Sequence, residues 1–284
     1  MTSQRIGPFT ALIRRPESPL VGAPLIVAIH GGTYSATYFD VPSHSLLDRA
    51  AVNGLTAVAI DRPGYGATRP LAEAEMDIAG QGAFLAEALG EVWSHESAGH
   101  NGMFLIGHSI GAAITATIAS APRDLPLIGI AISGIGVRTP VEHGPQWNSL
   151  PNTPHVEMPS VVKDRLMFGV DGSFDEAMPA ASHVANAPCP RAELIDIVGD
   201  WQRRAPAVLA RIAVPVHYRQ GEDDQLWVVD RDEVAQLAAM FTASPQVDAA
   251  LVRRTGHCID YHRAGPGLQL QQLGFAIQCA AEYG

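Results

Sequence analysis

The chain has 284 residues, 47% of them hydrophobic, and a mean hydropathy of +0.08, which is enough to bury one large core and excludes a disordered tail or a fibre. A formal net charge of -10, from 19 basic against 29 acidic residues with no basic run longer than a pair, repels a phosphate backbone and excludes nucleic acid as a partner. Three cysteines (Cys189, Cys258, Cys279) are odd in number and at no ligand spacing, so free thiols in a reducing compartment are expected, with neither a disulfide frame nor a structural zinc.

The opening "MTSQRIGPFTALIRRPESPL" lacks the apolar run of a signal peptide, and no stretch reaches the roughly 18 apolar residues a membrane helix needs. A soluble, cytoplasmic protein with no membrane partner is expected. In chain order, strands are predicted at "FTALIRR" (9–15), "LIVAIH" (25–30), "LTAVAI" (55–60), "MFLIG" (103–107), "LIGIAIS" (127–133), "VPVHYRQ" (214–220) and "VDAALVR" (247–253). Between and after them, helices are predicted around 44–53, 76–97, 110–120, 231–241 and 266–282. The strand runs are rich in Val, Ile, Leu and Ala without strict polar alternation, so both faces are buried. The fold class that follows is α/β: a mostly parallel central sheet flanked by helices.

One segment breaks this rhythm. From Arg138 to Pro206 there is no strand-like run, yet 9 of the 21 prolines fall there. Loops longer than about 15 residues inside a compact domain are usually functional, so 138–206 is read as an inserted, partly helical cap on a core made of 1–137 and 207–284. Its Trp147, Met158, Met167, Phe168, Phe174, Met178 and Trp201 either line an apolar cavity or form the cap's own small core. The candidate substrate-pocket residues are Tyr34, Trp147, Phe168, Trp201 and Trp227.

"LIGHSIG" (105–111) places Ser109 between two glycines where an apolar run stops and a small-residue helix begins. With 27 glycines in the chain, a chance G-x-S-x-G turns up roughly one time in seven, so the motif's position decides its meaning. On a sharp strand-to-helix turn, side chains two before and two after the serine collide with the neighbouring elements, and Gly107 and Gly111 remove them. Ser109 then stands exposed at the carboxyl edge of the sheet, where open α/β sheets bind ligands. "HGGTY" (30–34) follows an earlier strand, and its glycines let the amides of Gly32 and Thr33 face inward beside that of Ile110 as an oxyanion hole. A tight turn is the alternative use of those glycines.

A serine hydroxyl is a weak nucleophile that needs a histidine to take its proton and a carboxylate to orient the imidazole. "RQGEDDQLW" (219–227) supplies Glu222, Asp223 and Asp224 at the end of one strand, and "RRTGHCIDYH" (253–262) supplies His257 at the end of the next. His262 is the runner-up among 11 histidines; a metal reading of "HCIDYH" lacks a third ligand. His108, next to the serine, is expected to point away from it.

With "HGGTY", "DRPGYG" (61–66), "GHSIG", "GEDD" and "TGH" in this order, the chain resembles the α/β-hydrolase superfamily over nearly its whole length. The resemblance implies a serine hydrolase acting on a small-molecule substrate with no cofactor and no metal, and a cap after the sixth core strand. It selects Asp224 through the superfamily's G-x-x-D turn, giving Ser109, Asp224 and His257 as the catalytic residues. It sets aside haloalkane dehalogenases and epoxide hydrolases, which carry aspartate as nucleophile. Esters, thioesters, lactones and carbon-carbon bonds stay open as targets, as does a non-catalytic ligand-binding role. "DRPGYG" reads as structural, with a functional role for Arg62 or Tyr65 the lesser alternative. The short N-terminus leaves room for fewer leading strands than the eight-stranded pattern. A homo-oligomer is compatible with the sequence, which carries no signal for one.

Overall fold

A computed structural model describes residues 3–121, 124–169 and 171–283. Its strands are β1 (Gln4–Ile6), β2 (Phe9–Arg14), β3 (Leu25–Ile29), β4 (Ala57–Ile60), β5 (Met103–His108), β6 (Leu127–Ser133), β7 (His155–Val156), β8 (Cys189–Pro190), β9 (Val216–Gly221) and β10 (Val247–Val252). Its helices are α1 (Leu46–Val52), α2 (Ile78–Glu96), α3 (Ile110–Ala119), α4 (His143–Asn148), α5 (Ser160–Phe168), α6 (Met178–Ser182), α7 (Arg191–Val198), α8 (Asp200–Leu209), α9 (Arg231–Ala239) and α10 (Gly265–Tyr283).

Eight strands form one sheet in the order β1-β2-β4-β3-β5-β6-β9-β10. The pairs β1/β2 and β2/β4 are antiparallel, and every later pair is parallel. Alternate residues of the central strands feed two cores, as a period of two requires. Leu25, Val27 and Ile29 pack with Leu85 and Leu89 of α2 and Ile114 of α3, whereas Ile26 and Ala28 pack with Leu46 and Leu47 of α1 and Ala276 of α10. Helices on both faces are why these strands carry unbroken apolar runs.

The sheet corrects the expectation of fewer leading strands. Gln4–Ile6 pairs with β2 and completes eight, but it has only three residues, two of them exposed, so it leaves no apolar pattern to read. The expectation of no strand in the cap also needs amending: β7 and β8 pair there over two residues each. The rest of the cap, between β6 and β9, is mainly helical. Its prolines start helices more than they break them, because a first-turn residue needs no amide donor. Pro159 and Pro190 immediately precede α5 and α7, and Pro179 lies in the first turn of α6. Among the described residues no helix is long and apolar enough to cross a membrane.

Candidate active site

Parallel pairing puts the carboxyl ends of β3, β5, β9 and β10 on one edge of the sheet, and the four motif loops leave from there. Ser109 sits between β5 and α3 at φ 56 and ψ -125, a region that costs a non-glycine residue about 1–3 kcal/mol. The conformation is held by the Ser109 amide donating to the Ser133 carbonyl at 2.8 Å and by the Ser109 carbonyl accepting from Ala112 N at 2.8 Å. A Cβ on Gly107 would run into the Thr115 side chain and the Gly111 carbonyl, and one on Gly111 into the Ile29 and His30 carbonyls. The two glycines are there for close backbone approach.

His257 connects the serine to an acid. Its Nε2 lies 2.8 Å from Ser109 Oγ and its Nδ1 2.7 Å from Asp224 Oδ2. Asp224 is itself fixed, accepting from Gln220 Nε2 at 2.7 Å and from the Leu226 amide at 2.9 Å. Its two neighbours face elsewhere. Glu222 is exposed and accepts from the Arg254 amide, and Asp223 is partly exposed, its carboxyl pushed upward by burial and by the Glu222 charge.

His262 stays outside this chain of contacts. It accepts from the Gly256 amide at 3.1 Å and meets Ser173 Oγ at 2.9 Å, pinning the histidine loop to the cap, and burial pushes it down to about 4. His108 packs its ring on that of His257, with centroids 4.9 Å apart, and stacks on Tyr38 at 4.8 Å. Burial, with the His257 charge second, holds His108 well below the usual histidine range. Among the described residues no cluster of three or more metal-ligating side chains is present.

The loop after β3 packs directly on the serine turn. A Cβ on Gly31 would stand 2.9 Å from Ser109 Cβ, so only glycine lets the two backbones meet. Thr33 has φ 62, the left-handed region that a β-branched residue rarely occupies. The amides of Gly32, Thr33 and Ile110 have no acceptor among the described residues.

A buried ionic network stands behind this loop, and the sequence reading missed it. Arg62, in "DRPGYG", is 0% exposed and donates to the carbonyls of His30 at 2.9 Å and Gly31 at 3.1 Å. It also pairs with Glu193 of α7 through two hydrogen bonds, at 2.5 and 2.9 Å. Glu193 further accepts from Tyr65 and Gln81. Burial alone would raise the Glu193 carboxyl, but the charge and hydrogen bonds of Arg62 outweigh it and hold Glu193 below the usual carboxylate range. The signal available in sequence was an arginine beside a strand end; its partner is 131 residues away.

Above Ser109 lies a narrow cavity of about 40 Å³. Gly32, Thr33, Ser109 and Ile110 form its polar end. Trp147, Met158, Met167 and Leu194 are among the cap residues that line the rest, with Leu226 and Trp227 from the loop after β9. Three of the expected pocket residues lie elsewhere. Tyr34 is buried behind the loop, where its hydroxyl accepts from Cys258 Sγ. Phe168 packs on Phe174 at 4.9 Å and on Tyr261. Trp201 turns its indole to the Gly136 carbonyl at 3.0 Å. All three are buried away from the cavity wall, a placement that aromatic character in a sequence cannot distinguish.

Solved structures match this fold along almost the full chain. A thermophilic esterase from Thermogutta terrifontis, with malate bound, superposes with a TM-score of 0.67 at 15% identity, covering 98% of this chain and 100% of that one. A soluble variant of monoglyceride lipase from Saccharomyces cerevisiae, in complex with a substrate analogue, gives 0.70 at 15% identity over 95% and 91%. An epoxide hydrolase mutant from Vigna radiata gives 0.64 at 14% identity over 96% and 97%. At such identities the likeness is one of fold. No curated protein sequence gives a significant match. The alpha/beta hydrolase family model matches residues 26–265, most of the chain, and the protein therefore belongs to the alpha/beta hydrolase family.

Proposed function

We propose that the chain is a serine hydrolase that cleaves carboxylic esters of small to medium, apolar molecules through an acyl-enzyme. The observation that carries the reading is the continuous contact from Ser109 Oγ through His257 to Asp224, at 2.8 and 2.7 Å. In this reading His257 Nδ1 donates to Asp224, which leaves Nε2 to take the proton as Ser109 attacks the ester carbonyl. The amides of Gly32, Thr33 and Ile110 receive the oxyanion, each worth about 2.7–4 kcal/mol in the transition state. His257 then protonates the departing alcohol, water repeats the sequence on the acyl-enzyme, and the acid leaves. Side chains and backbone amides supply every step, so no cofactor is required.

Esterases and a lipase among the structural relatives support an ester as substrate. Trp147 and Trp227 in the cavity wall support an apolar acyl or alcohol group. The cap is taken as 138–206, and the three unpaired cysteines fit a cytoplasmic setting. A fluorophosphonate probe and a panel of p-nitrophenyl esters, with thioester, lactone and carbon-carbon counterparts, test the reading. Stoichiometric labelling of Ser109 with fastest turnover of the esters is expected. No labelling would sink the enzyme and favour a binding module; labelling with faster turnover of another bond class would move the substrate.

A further inference from the structure

The mechanism above makes no use of Lys163, yet this cation is buried against the loop that carries two of the proposed oxyanion donors. Lys163 lies on α5 of the cap and is 1% exposed. Its ammonium donates to the Thr33 carbonyl and to Asn186 Oδ1, both at 2.5 Å, and sits 3.2 Å from the centroid of the Tyr34 ring. No carboxylate accepts from it among the described residues. The cap reinforces the same contact through its backbone. Ala187 N donates to the Thr33 carbonyl at 3.0 Å, Ser35 N donates to the Ala185 carbonyl at 2.8 Å, and Tyr34 forms an antiparallel bridge with Asn186.

These contacts fall on a strained residue. Thr33, at φ 62, keeps a backbone conformation that a β-branched side chain leaves unless its surroundings fix it. From the other side, Arg62 and His30 Nδ1 fix the Gly31 carbonyl, at 3.1 and 2.8 Å. That peptide plane carries the Gly32 amide on its far side. Arg62 is in turn held by Glu193 of the cap. The loop is therefore clamped between two buried charges that both depend on a seated cap.

We propose that Lys163 is a positioning residue, resting on the serine hydrolase reading: its contact with Thr33 holds the Gly32 and Thr33 amides toward the oxyanion and couples cap seating to rate. Protonation gives the coupling a handle. Burial pushes Lys163 down to about 7. Around it, Asp164 on its own helix is engaged with His183 at 3.0 Å, and Tyr34 on the loop is held well above its usual range by burial. Cys189 on β8 and Cys258 after β10 are also raised by burial, Cys258 to about 12, so both are neutral near pH 7. His30 lies on the loop's far side, lowered by burial and by Arg62, and Glu157 lines the exposed groove beside the lysine. Below about pH 7 the ammonium grips Thr33; above it the amine is a weaker donor and the loop loosens.

The test is Lys163→Met, read by kcat and KM for p-nitrophenyl acetate from pH 6 to 9 and by amide hydrogen exchange at Ser35. The expected result is a kcat about 10–100-fold lower, since removing one oxyanion donor outright costs about 100–1,000-fold. KM should stay within about twofold, Ser35 should exchange faster, and the fall in wild-type rate as pH rises through about 7 should be absent. A variant with wild-type kcat, or with the same alkaline fall, overturns the proposal; so does a raised KM at unchanged kcat, which would make Lys163 a substrate-binding group. If the variant does not fold, the wild type alone decides: Ser35 protection must drop above about pH 7, and constant protection overturns the role. A wild type that turns over no ester and takes no fluorophosphonate sinks the hydrolase reading beneath it, whereas an active wild type with an unaffected variant sinks Lys163 alone.

Discussion

Val27, Ile29, Leu105 and Ile130 of the central strands are apolar and buried, whereas the cap meets the core in part through Arg62, Gln81, Glu193 and Lys163, which are buried too. Apolar contact is non-directional and is lost only by exposing surface to water, at about 25 cal/mol per Å². A buried ion pair is directional, and its attraction is offset by the cost of taking both charges out of water. Parting the cap returns Arg62 and Glu193 to water and recovers that cost. Charge therefore adds direction to a seat that Met167, Phe168, Leu194 and Trp201 also hold by apolar packing.

The largest expected effect falls in the core, at the proposed nucleophile. Ser109→Ala should keep the fold, lose fluorophosphonate labelling and lower kcat on the order of a million-fold, by analogy with nucleophile deletions elsewhere. Unchanged kinetics would remove the nucleophile. Next in size, Asp224→Asn should leave the imidazole in place but reverse its tautomer, lowering kcat about 10⁴-fold, while Asp223→Asn changes it little. The opposite ranking would mean that the turn after β9 presents a different acid in solution from the one lying 2.7 Å from His257.

On the cap side, Glu193→Ala leaves Arg62 buried without its carboxylate and should destabilise by about 3–5 kcal/mol, read as a lower urea midpoint at unchanged slope. Arg62→Met with Glu193→Leu should recover most of that loss, because the uncompensated charge and not the missing contact is the larger part of it. A double variant as unstable as the single one would show that the cap is held by packing, like the sheet.

What the sequence disclosed follows the same division. Strands buried on both faces leave apolar runs, and β6 was legible to the residue, Leu127–Ser133. The loops at their carboxyl ends were legible because close backbone approach demands glycine, as at Gly107 and Gly111. A three-residue edge strand such as β1 leaves no such trace. Nor does a pair such as Arg62 and Glu193, because an isolated charge in sequence looks the same whether water or a partner 131 residues away satisfies it. Lys163, between Val162 and Asp164, carries no mark of burial in the sequence; only the packed cap reveals it.

The smallest expected effect lies within the cap, between two tryptophans that sequence treats alike. Trp147 is half-buried and lines the cavity, whereas Trp201 is 1% exposed, packs in the apolar core and donates to the Gly136 carbonyl. Truncating Trp201 to Ala removes core volume and the donor to the Gly136 carbonyl, so stability should drop by about 3–5 kcal/mol with acyl preference unchanged. Truncating Trp147 enlarges the pocket without opening the core. Its urea midpoint should barely move, while the kcat/KM ratio of hexanoate to acetate esters should rise by about 10–200-fold, the range that even one methylene of pocket space supplies. Measuring both variants on both esters separates wall from scaffold. If Trp147→Ala instead lowers stability and leaves the ratio alone, the cavity wall is part of the cap's own core, and the acyl group lies against Trp227 on the sheet side.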